Sequence, residues 1–524
     1  MPRGKIERIG SNLDKPEGAA AAGDVHPNER ITITVHLKRR SPDRFAPVSA
    51  GDLARLRAPI TRELLAAQRA RTHGRAAARA TRFAKANGLV VRETDITRRR
   101  MVLEGTAQQM TELFGVSLAM YDDGQRRFRA RTGPLFVPAE IAPWTRAILG
   151  FDQRPLARRL QGLAGAGQGD GLLPTEIAAL YGLRLEGDVS TQCVGIIALG
   201  GGYLQADLDA ATAAMQRPPA NVVDQSVAGA TNAFGGGTLA DQEIALDLQI
   251  LAGLLPKARI VVYFAQNSIQ YVADALHQAV WDDVNRPQVL SVSWGSAEKF
   301  WTPDARDTVQ AALADAVRLN VSVAFAAGDE LATAGLTDGK AHVSFPASSP
   351  YVLSCGGSAP TLDDGGSIAT EAAWNEGFQG TGGGISDVFP VPDYQSGLAL
   401  PPSVNDSAVR RGVPDVAGAA AKTPGYRIFI NGRPTPKDGT SAVTPLWAAL
   451  IAHANAQRGA PIGLVNPALY ANAALLRQIT QGNNRVDHTG KGYDAGAPWN
   501  ACTGLGVPNG EDIIAALAAD AVIA

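Results

Sequence analysis

Cysteine is scarce: three residues in 524, Cys193, Cys355 and Cys502, far apart in the chain and odd in number. That excludes a disulfide framework and any Cys-x-x-Cys metal site, and leaves three small hydrophobes with no catalytic role. No apolar run approaches the roughly 18 to 20 residues a membrane helix needs, so no membrane partner is expected. The opening stretch MPRGKIERIGSNLDKPEGAAAAGD carries charges but no apolar h-region, so a conventional signal peptide is not seen. Charged residues make up only 19% of the chain, against 45% hydrophobic residues and 56 glycines. This is the composition of a large, loop-rich globular enzyme, and the length calls for two domains. A complete dinucleotide fingerprint is missing as well. Gly200 to Gly202 end an apolar strand, but Gln205 stands where G-x-G-x-x-G needs its third glycine, so a tight strand-end turn is the reading.

The net charge of -1 hides two opposed halves. Residues 1–160 hold 30 Lys and Arg against 16 Asp and Glu, a net of +14, which leaves -15 for residues 161–524. A basic segment of this kind invites a nucleic-acid reading. Here the complementary acid is on the same chain, so an intramolecular dock is the simpler explanation and no nucleic-acid partner is expected.

Residues 1–30 read as a disordered N-terminal segment and 31–158 as a small α/β domain. Its sequence runs from the strand ITITVHL through an Ala- and Arg-rich helix near 60–87, two strands, a short helix and the hairpin VSLAMYDDGQRRFRAR to a last helix near AEIAPWTRAIL. Residues 159–174 are glycine-rich and Arg-studded, an exposed linker where a protease could cut. From 175 to 524, continuous apolar strands alternate with amphipathic helices, which implies a parallel sheet covered on both faces. Ligands in such sheets sit beyond the carboxyl ends of the strands.

The stretch DGTSAVTPLWAAL, residues 438–450, reads as a loop that ends at the start of a buried helix, with Ser441 facing a cleft and backbone N–H groups beside it for an oxyanion. Such a nucleophile needs a base. Beyond the linker the histidines are His277, His342, His453 and His488, and none lies in a glycine- and threonine-rich loop before a helix. The base is therefore sought among carboxylates. In DQEIALDLQILAGLLP, Glu243 and Asp247 are four residues apart on one face of a helix that is apolar almost all round. Held close in a dry cleft, such a pair shares a proton. Asp329 ends the strand VAFAAGD; it is either a turn aspartate or a protonated acid able to donate to an oxyanion.

DGTSAVTPLW, EIALD, SVSWG, AFAAGD and WNACTGLGVPNG, in this order, resemble the sedolisins, the serine-carboxyl peptidases, and among them the kumamolisin group. MVLEGTAQQMTELFGVSLAMY and RARTGPLFVPAEIAPW resemble that family's pro-domain. The resemblance implies a subtilisin-like parallel-sheet catalytic domain preceded by a ferredoxin-like α/β pro-domain that inhibits it. It makes Ser441 the nucleophile, Glu243 the general base, Asp247 its orienting partner and Asp329 the oxyanion acid, and it puts Ser293, Trp294 and Gly295 at the substrate. Protein or peptide substrates, an acid optimum, self-cleavage in the linker and an extracellular or acidic setting follow as expectations.

Three departures qualify the resemblance. The family's calcium loop corresponds to Gln478, Ile479, Gly496, Pro498 and Asn500, with two carboxylates lost, so no tight calcium site is expected, although Asp487 and Asp494 lie nearby. Ala198 replaces a glutamate that links the acidic network to the tryptophan retained here as Trp294. Ser344 stands at a subsite aspartate, which puts a preference for basic side chains in doubt. Two rivals remain in view: a histidine-based hydrolase, and a binding protein on an inactive peptidase scaffold.

Overall fold

The computed structural model describes residues 4–38, 60–124, 126–155, 158–159, 171–486 and 490–519. The basic half is built on a four-stranded antiparallel sheet. Strand β1 (Arg30–Leu37) is followed by helix α1 (Arg62–Ala86), strands β2 (Val90–Asp95) and β3 (Arg100–Thr106), and helix α2 (Ala107–Phe114). A hairpin of β4 (Ser117–Asp122) and β5 (Arg127–Thr132) precedes the last strand, β6 (Thr145–Leu149). The strand order is β2-β3-β1-β6. A βαββαβ chain in this order is the ferredoxin-like arrangement, with the hairpin inserted before its final strand. Ile31, Ile33, Val35 and Leu37 point one way along β1 and pack on Phe83 of α1 and Phe114 of α2. The other face of β1 presents Thr34 and His36, which are also buried.

Two expectations fail here. The helix expected near AEIAPWTRAIL is a single 3-10 turn at Ala142–Trp144 followed by β6. Pro143 blocks helix propagation, and Thr145, Ile148 and Leu149 suit the edge of the sheet. Residues 4–30, expected to be disordered, contain two short strands: Lys5–Glu7 pairs with Phe136–Pro138, and Ala20–Asp24 pairs with β4. Their residues are mostly exposed, so no apolar alternation announces them; the open strand edges beside them supply the order.

A two-residue strand, β7 (Arg158–Arg159), leads toward the acidic half. The rest of the expected activation linker, at 160–170, lies outside the described residues. The acidic half is a sheet of β8 (Cys193–Leu199), β9 (Asn221–Ser226), β10 (Arg259–Ala265), β11 (Val289–Val292), β13 (Ser322–Ala326), β14 (Leu353–Leu362), β15 (Ile368–Ala373) and β16 (Val416–Ala419), while β12 (Trp294–Ala297) leaves it to pair elsewhere. The order is β9-β10-β8-β11-β13-β14-β15, with β16 also on β14, and only β15 runs antiparallel. Successive residues of β8 and β10 enter opposite cores. Ile196, Ala198 and Val262 join one side with helices α3 (Leu239–Leu254) and α6 (Thr440–Arg458). Ile197, Val261 and Tyr263 join the other side with α4 (Ile269–Val280) and α5 (Pro303–Arg318). This is the doubly covered parallel sheet of the subtilisin-like fold. Cys193, Cys355 and Cys502 are buried and free. No described helix is long and apolar enough to cross a membrane.

The glycine run serves packing. Gly202 donates its N–H to Asp241 at 2.8 Å, and a Cβ there would sit 2.2 Å from the Asn232 amide oxygen and 2.4 Å from the Phe234 nitrogen. Only glycine fits that approach.

The halves meet through α4 and α5, and basic groups of the first half face acids of the second. Arg69 and Arg99 hold the buried Asp315, the latter at 3.1 Å, Arg100 reaches Asp274 at 2.7 Å, and Arg8 donates to Asp304 at 3.0 Å. Leu65 and Leu149 add apolar contact with the second core. At the centre His36 of β1 stacks on His277 of α4, ring centroids 6.0 Å apart.

Candidate active site

Helix α6 begins at Thr440, directly after Gly439 in the left-handed region at φ 108°. Ser441 therefore lies in the first turn, not in a loop before the helix, and Pro445 is inside the helix. The proline has a local effect. In a regular helix the N–H of residue 445 would bond to the carbonyl of Ser441, but proline has no N–H. The freed carbonyl is approached by Ser293 Oγ at 3.4 Å, and the same hydroxyl donates to Asp247 Oδ1 at 2.8 Å. Ser293, expected at the substrate, thus joins the carboxylate helix to the serine helix.

Helix α3 starts with a capping box: Thr238 Oγ1 accepts from Asp241 N, and the Asp241 carboxylate accepts from Thr238 N at 2.7 Å. One turn further, Glu243 and Asp247 are fully buried against α6. Burial holds Asp247 well above the usual carboxylate range, although the Ser293 hydrogen bond opposes the shift.

Asp329 follows β13 and is 2% exposed. Its Oδ1 accepts from Thr440 N at 2.7 Å and from Thr440 Oγ1 at 2.6 Å, while Thr440 Oγ1 accepts from Gly328 N at 3.2 Å. Its Oδ2 is buried with no hydrogen-bond partner among the described residues. Burial raises the Asp329 pKa well above the ordinary value; the Thr440 bonds oppose that shift, and the charges of Asp438 and Glu243 reinforce it. Asp247, through Ser293, and Asp329, through Thr440, are thus tied to the first turn of α6, which holds Ser441, and Glu243 lies within electrostatic reach of Asp329. Asp438, which sequence reasoning passed over, is pushed up to about 6 by burial and by Glu376, so the cleft disfavours negative charge from several directions. Thr440 and Pro445 were also missed, although both stand in the quoted stretch around Ser441.

The strand β12 carries Trp294 and Gly295. Its backbone pairs antiparallel with β7, Arg158 opposite Gly295 and Arg159 opposite Trp294. The end of the basic half thus runs as an added strand along β12. Trp294 is 2% exposed, so its side chain is packed inside and the pairing here is through main chain. A small cavity beside Asp329 is lined by Ser344 and His342, with no aspartate at position 344.

The histidines are occupied elsewhere. His342 Nε2 lies 2.9 Å from Asp338, His277 is in the interface, and His453 Nε2 bonds the Leu254 carbonyl at 3.0 Å. His453 is also twelve residues along α6 from Ser441, about 18 Å at 1.5 Å per residue. His488 lies outside the described residues.

The residues of the family calcium loop do not fit a hard cation. Asn500 Nδ2 donates to the carbonyls of Ile479 at 3.1 Å and Gly496 at 3.0 Å, so a hydrogen-bond donor stands where a carboxylate would supply charge. Asn500 Oδ1 accepts from Cys502 N and Thr503 N at 3.0 and 2.9 Å. Asp494 is engaged by Arg485 at 2.8 Å, and Asp487 lies outside the described residues.

Fold and site define a subtilisin-like serine peptidase carried behind a pro-domain. The chain matches the pro-kumamolisin activation domain over residues 17–154 and the subtilase family over residues 225–489. It is 38% identical over 521 residues to kumamolisin of Bacillus sp. (strain MN-32), covering 95% of this chain and 94% of that protein. It is 28% identical over 439 residues to sedolisin of Pseudomonas sp. (strain 101), covering 77% of this chain and 72% of that one. A solved structure of Pseudomonas sedolisin, a serine-carboxyl proteinase, in complex with two molecules of pseudo-iodotyrostatin is similar with a TM-score of 0.58 at 27% identity. It covers 68% of this chain and 98% of that one. The chain belongs to the kumamolisin-type serine-carboxyl peptidases and is made as a zymogen.

Proposed function

We propose that the protein is an acid-active endopeptidase in which Ser441 attacks the peptide carbonyl, Glu243 accepts its proton, Asp247 orients Glu243, and Asp329 donates to the oxyanion beside the Ser441 N–H. The observation that supports this reading is that Ser293 links the buried Asp247 of α3 to the Ser441 carbonyl, while the buried Asp329 after β13 bonds Thr440, the residue before Ser441. The orphaned Oδ2 of Asp329 is the atom that bears the proton. An ionised carboxylate there would repel the tetrahedral intermediate. Ser293 has one hydroxyl proton and two acceptors in reach. Its donation to Asp247 Oδ1 leaves Asp247 Oδ2 as the oxygen that carries a proton, which agrees with the raised Asp247. A carboxylate base keeps working near pH 4, where an imidazole is already protonated.

The pro-domain inhibits by covering the cleft with β7 as a substrate-like strand. Cleavage falls between residues 158 and 175. Acid opens the dock through groups whose docked pKa lies below their ordinary value. His36 is lowered to about 3, first by burial and then by Arg100, Arg146 and Arg99; His277 is lowered well below 6.5, chiefly by burial. Their contribution to docking is complete above about pH 6.5 and is lost as the pH falls below it. Burial opposes ionisation of Asp315, but Arg69 and Arg99 outweigh it and hold its pKa low, so Asp315 releases only in stronger acid. Asp274 acts in the opposite sense, because burial raises it despite Arg100, and protonation there favours the docked form.

The calcium loop is held by the Asn500 amide in place of an ion. The test of the central reading is acid incubation of the full chain: wild type should release a fragment of about 160 residues while Ser441→Ala stays intact. Equal processing by both would overturn it.

A further inference from the structure

Two residues of opposite charge, Lys437 and Asp438, immediately precede Gly439, Thr440 and Ser441, and each is only 2% exposed. Charges buried there are costly unless something compensates them. Lys437 ends a strand, Arg433–Lys437, and its Nζ donates to the side-chain oxygen of Gln242. Gln242 precedes Glu243 on α3, so the ammonium is delivered to the turn of helix that carries the base. Burial lowers the Lys437 pKa, and the charges of Asp438 and Glu243 oppose that shift. The attraction is mutual, so the ammonium favours the ionised form of Glu243.

Asp438 acts on the other acid. Thr440, two residues on, bonds Asp329 through both its N–H and its Oγ1, which holds the two carboxyl groups to one short stretch of chain. Asp438 Oδ2 is buried with no hydrogen-bond partner among the described residues, and so is Oε2 of Glu376. The charges facing Asp438 are Glu376, after β15, Lys422, after β16, and Lys437 beside it; burial and Glu376 outweigh the two lysines and put Asp438 at about 6. Asp329 has no such cations, and the charges acting on it are those of Asp438 and Glu243, both negative. Asp438 therefore ionises first, and its charge then opposes loss of the Asp329 proton.

We propose that Lys437 and Asp438 are positioning residues for the catalytic protons: the ammonium holds Glu243 ionised and the carboxylate holds Asp329 neutral, so that base and oxyanion acid coexist over a wider span of pH. The proposal rests on the roles given to Glu243 and Asp329 under the proposed function. Without the Lys437 charge, Glu243 takes up its proton at higher pH. Without the Asp438 charge, Asp329 loses its proton at lower pH. The working window thus closes from opposite ends.

The experiment is the pH profile of kcat/KM from pH 2 to 8 on a pool of internally quenched peptides, with each enzyme processed by its own acid incubation. Lys437→Met should move the acidic limb up by about one pH unit, and Asp438→Asn should move the alkaline limb down by about as much, the scale of one charge acting across a protein interior. Lys437→Arg, which keeps the charge, should keep the wild-type acidic limb. The fraction of folded enzyme sets the height of a profile and not the position of its limbs, so a merely structural role would move neither. Where Asp438→Asn does not fold, Asp438→Ser reads the same limb. The proposal is overturned if either neutral variant leaves its limb at the wild-type position, or if Lys437→Arg moves the acidic limb as far as Lys437→Met. Unmoved limbs in these variants, with activity lost in Glu243→Gln, would remove this proposal and leave the catalytic reading standing; wild-type activity in Glu243→Gln would overturn both.

Discussion

Replacing His36 by phenylalanine isolates the acid trigger. The ring stacks on His277 and is 3% exposed, and neither His36 Nε2 nor His277 Nδ1 has a hydrogen-bond partner among the described residues. Phenylalanine therefore keeps an aromatic ring in the stack and removes only an unsatisfied polar edge and the ability to titrate. With an ordinary pKa of 6.5 falling to about 3 in the docked state, the histidine favours opening by about 30-fold at pH 5 and about 300-fold at pH 4. The second figure corresponds to about 3 kcal/mol, an upper bound because the pro-domain itself buries part of the ring. His36→Phe should accordingly process at the wild-type rate in strong acid only, with its half-maximal pH displaced downward and a slowing at pH 5 approaching 30-fold. The assay is fragment release on gels from pH 3 to 7, with intact mass to confirm the cut. A variant whose profile coincides with wild type at every pH would refute the histidine trigger. Uniform slowing at all pH values would refute it too, since that would mark a pH-independent change in docking.

Asp329→Ala should lower kcat by about 10² to 10³ with little change in KM, the usual cost of one oxyanion donor. It also strips the acceptor from Thr440 N and Oγ1, so a loss of about 1 to 3 kcal/mol in stability should accompany it; full activity in the folded variant would remove the role. For the loop at Asn500, chelator should leave the wild-type melting temperature unchanged. Asn500→Asp should be less stable without calcium, having lost two hydrogen bonds to carbonyls, and should gain melting temperature with millimolar calcium. Calcium-dependent melting of the wild type would contradict the substitution of an amide for the ion.

Part of the candidate site was legible because its carboxylates break a local rule: Glu243 and Asp247 sit on a helix with no wet side. Asp329 ends an apolar strand, where a turn aspartate was an equally ordinary reading, and only its burial and its bonds to Thr440 set it apart. Ser293 was harder to place: a serine inside SVSWG carries no charge or periodicity signal, and only the crossing of β11 with α3 and α6 reveals that it joins Asp247 to the Ser441 carbonyl. The N-terminal strands and β6 were missed for a related reason. Lys5–Glu7 and Ala20–Asp24 are ordered by the strand edges they pair with, and β6 follows a proline-containing turn that reads as the end of a helix. Charge asymmetry between the halves predicted the dock, but not its histidine pair, because neither ITITVHL nor VADALHQAV shows which residue faces the other domain.

The most direct test of carboxylate replacing imidazole is the pH dependence of kcat/KM for acid-processed wild type and for Glu243→Gln, the variant matured by added wild-type enzyme. The account predicts a bell confined to acid pH for wild type and a loss of about 10² to 10⁴ in the variant across that range, the usual worth of a general base. Activity that rises through a single ionisation near pH 6.5 and survives Glu243→Gln would contradict it.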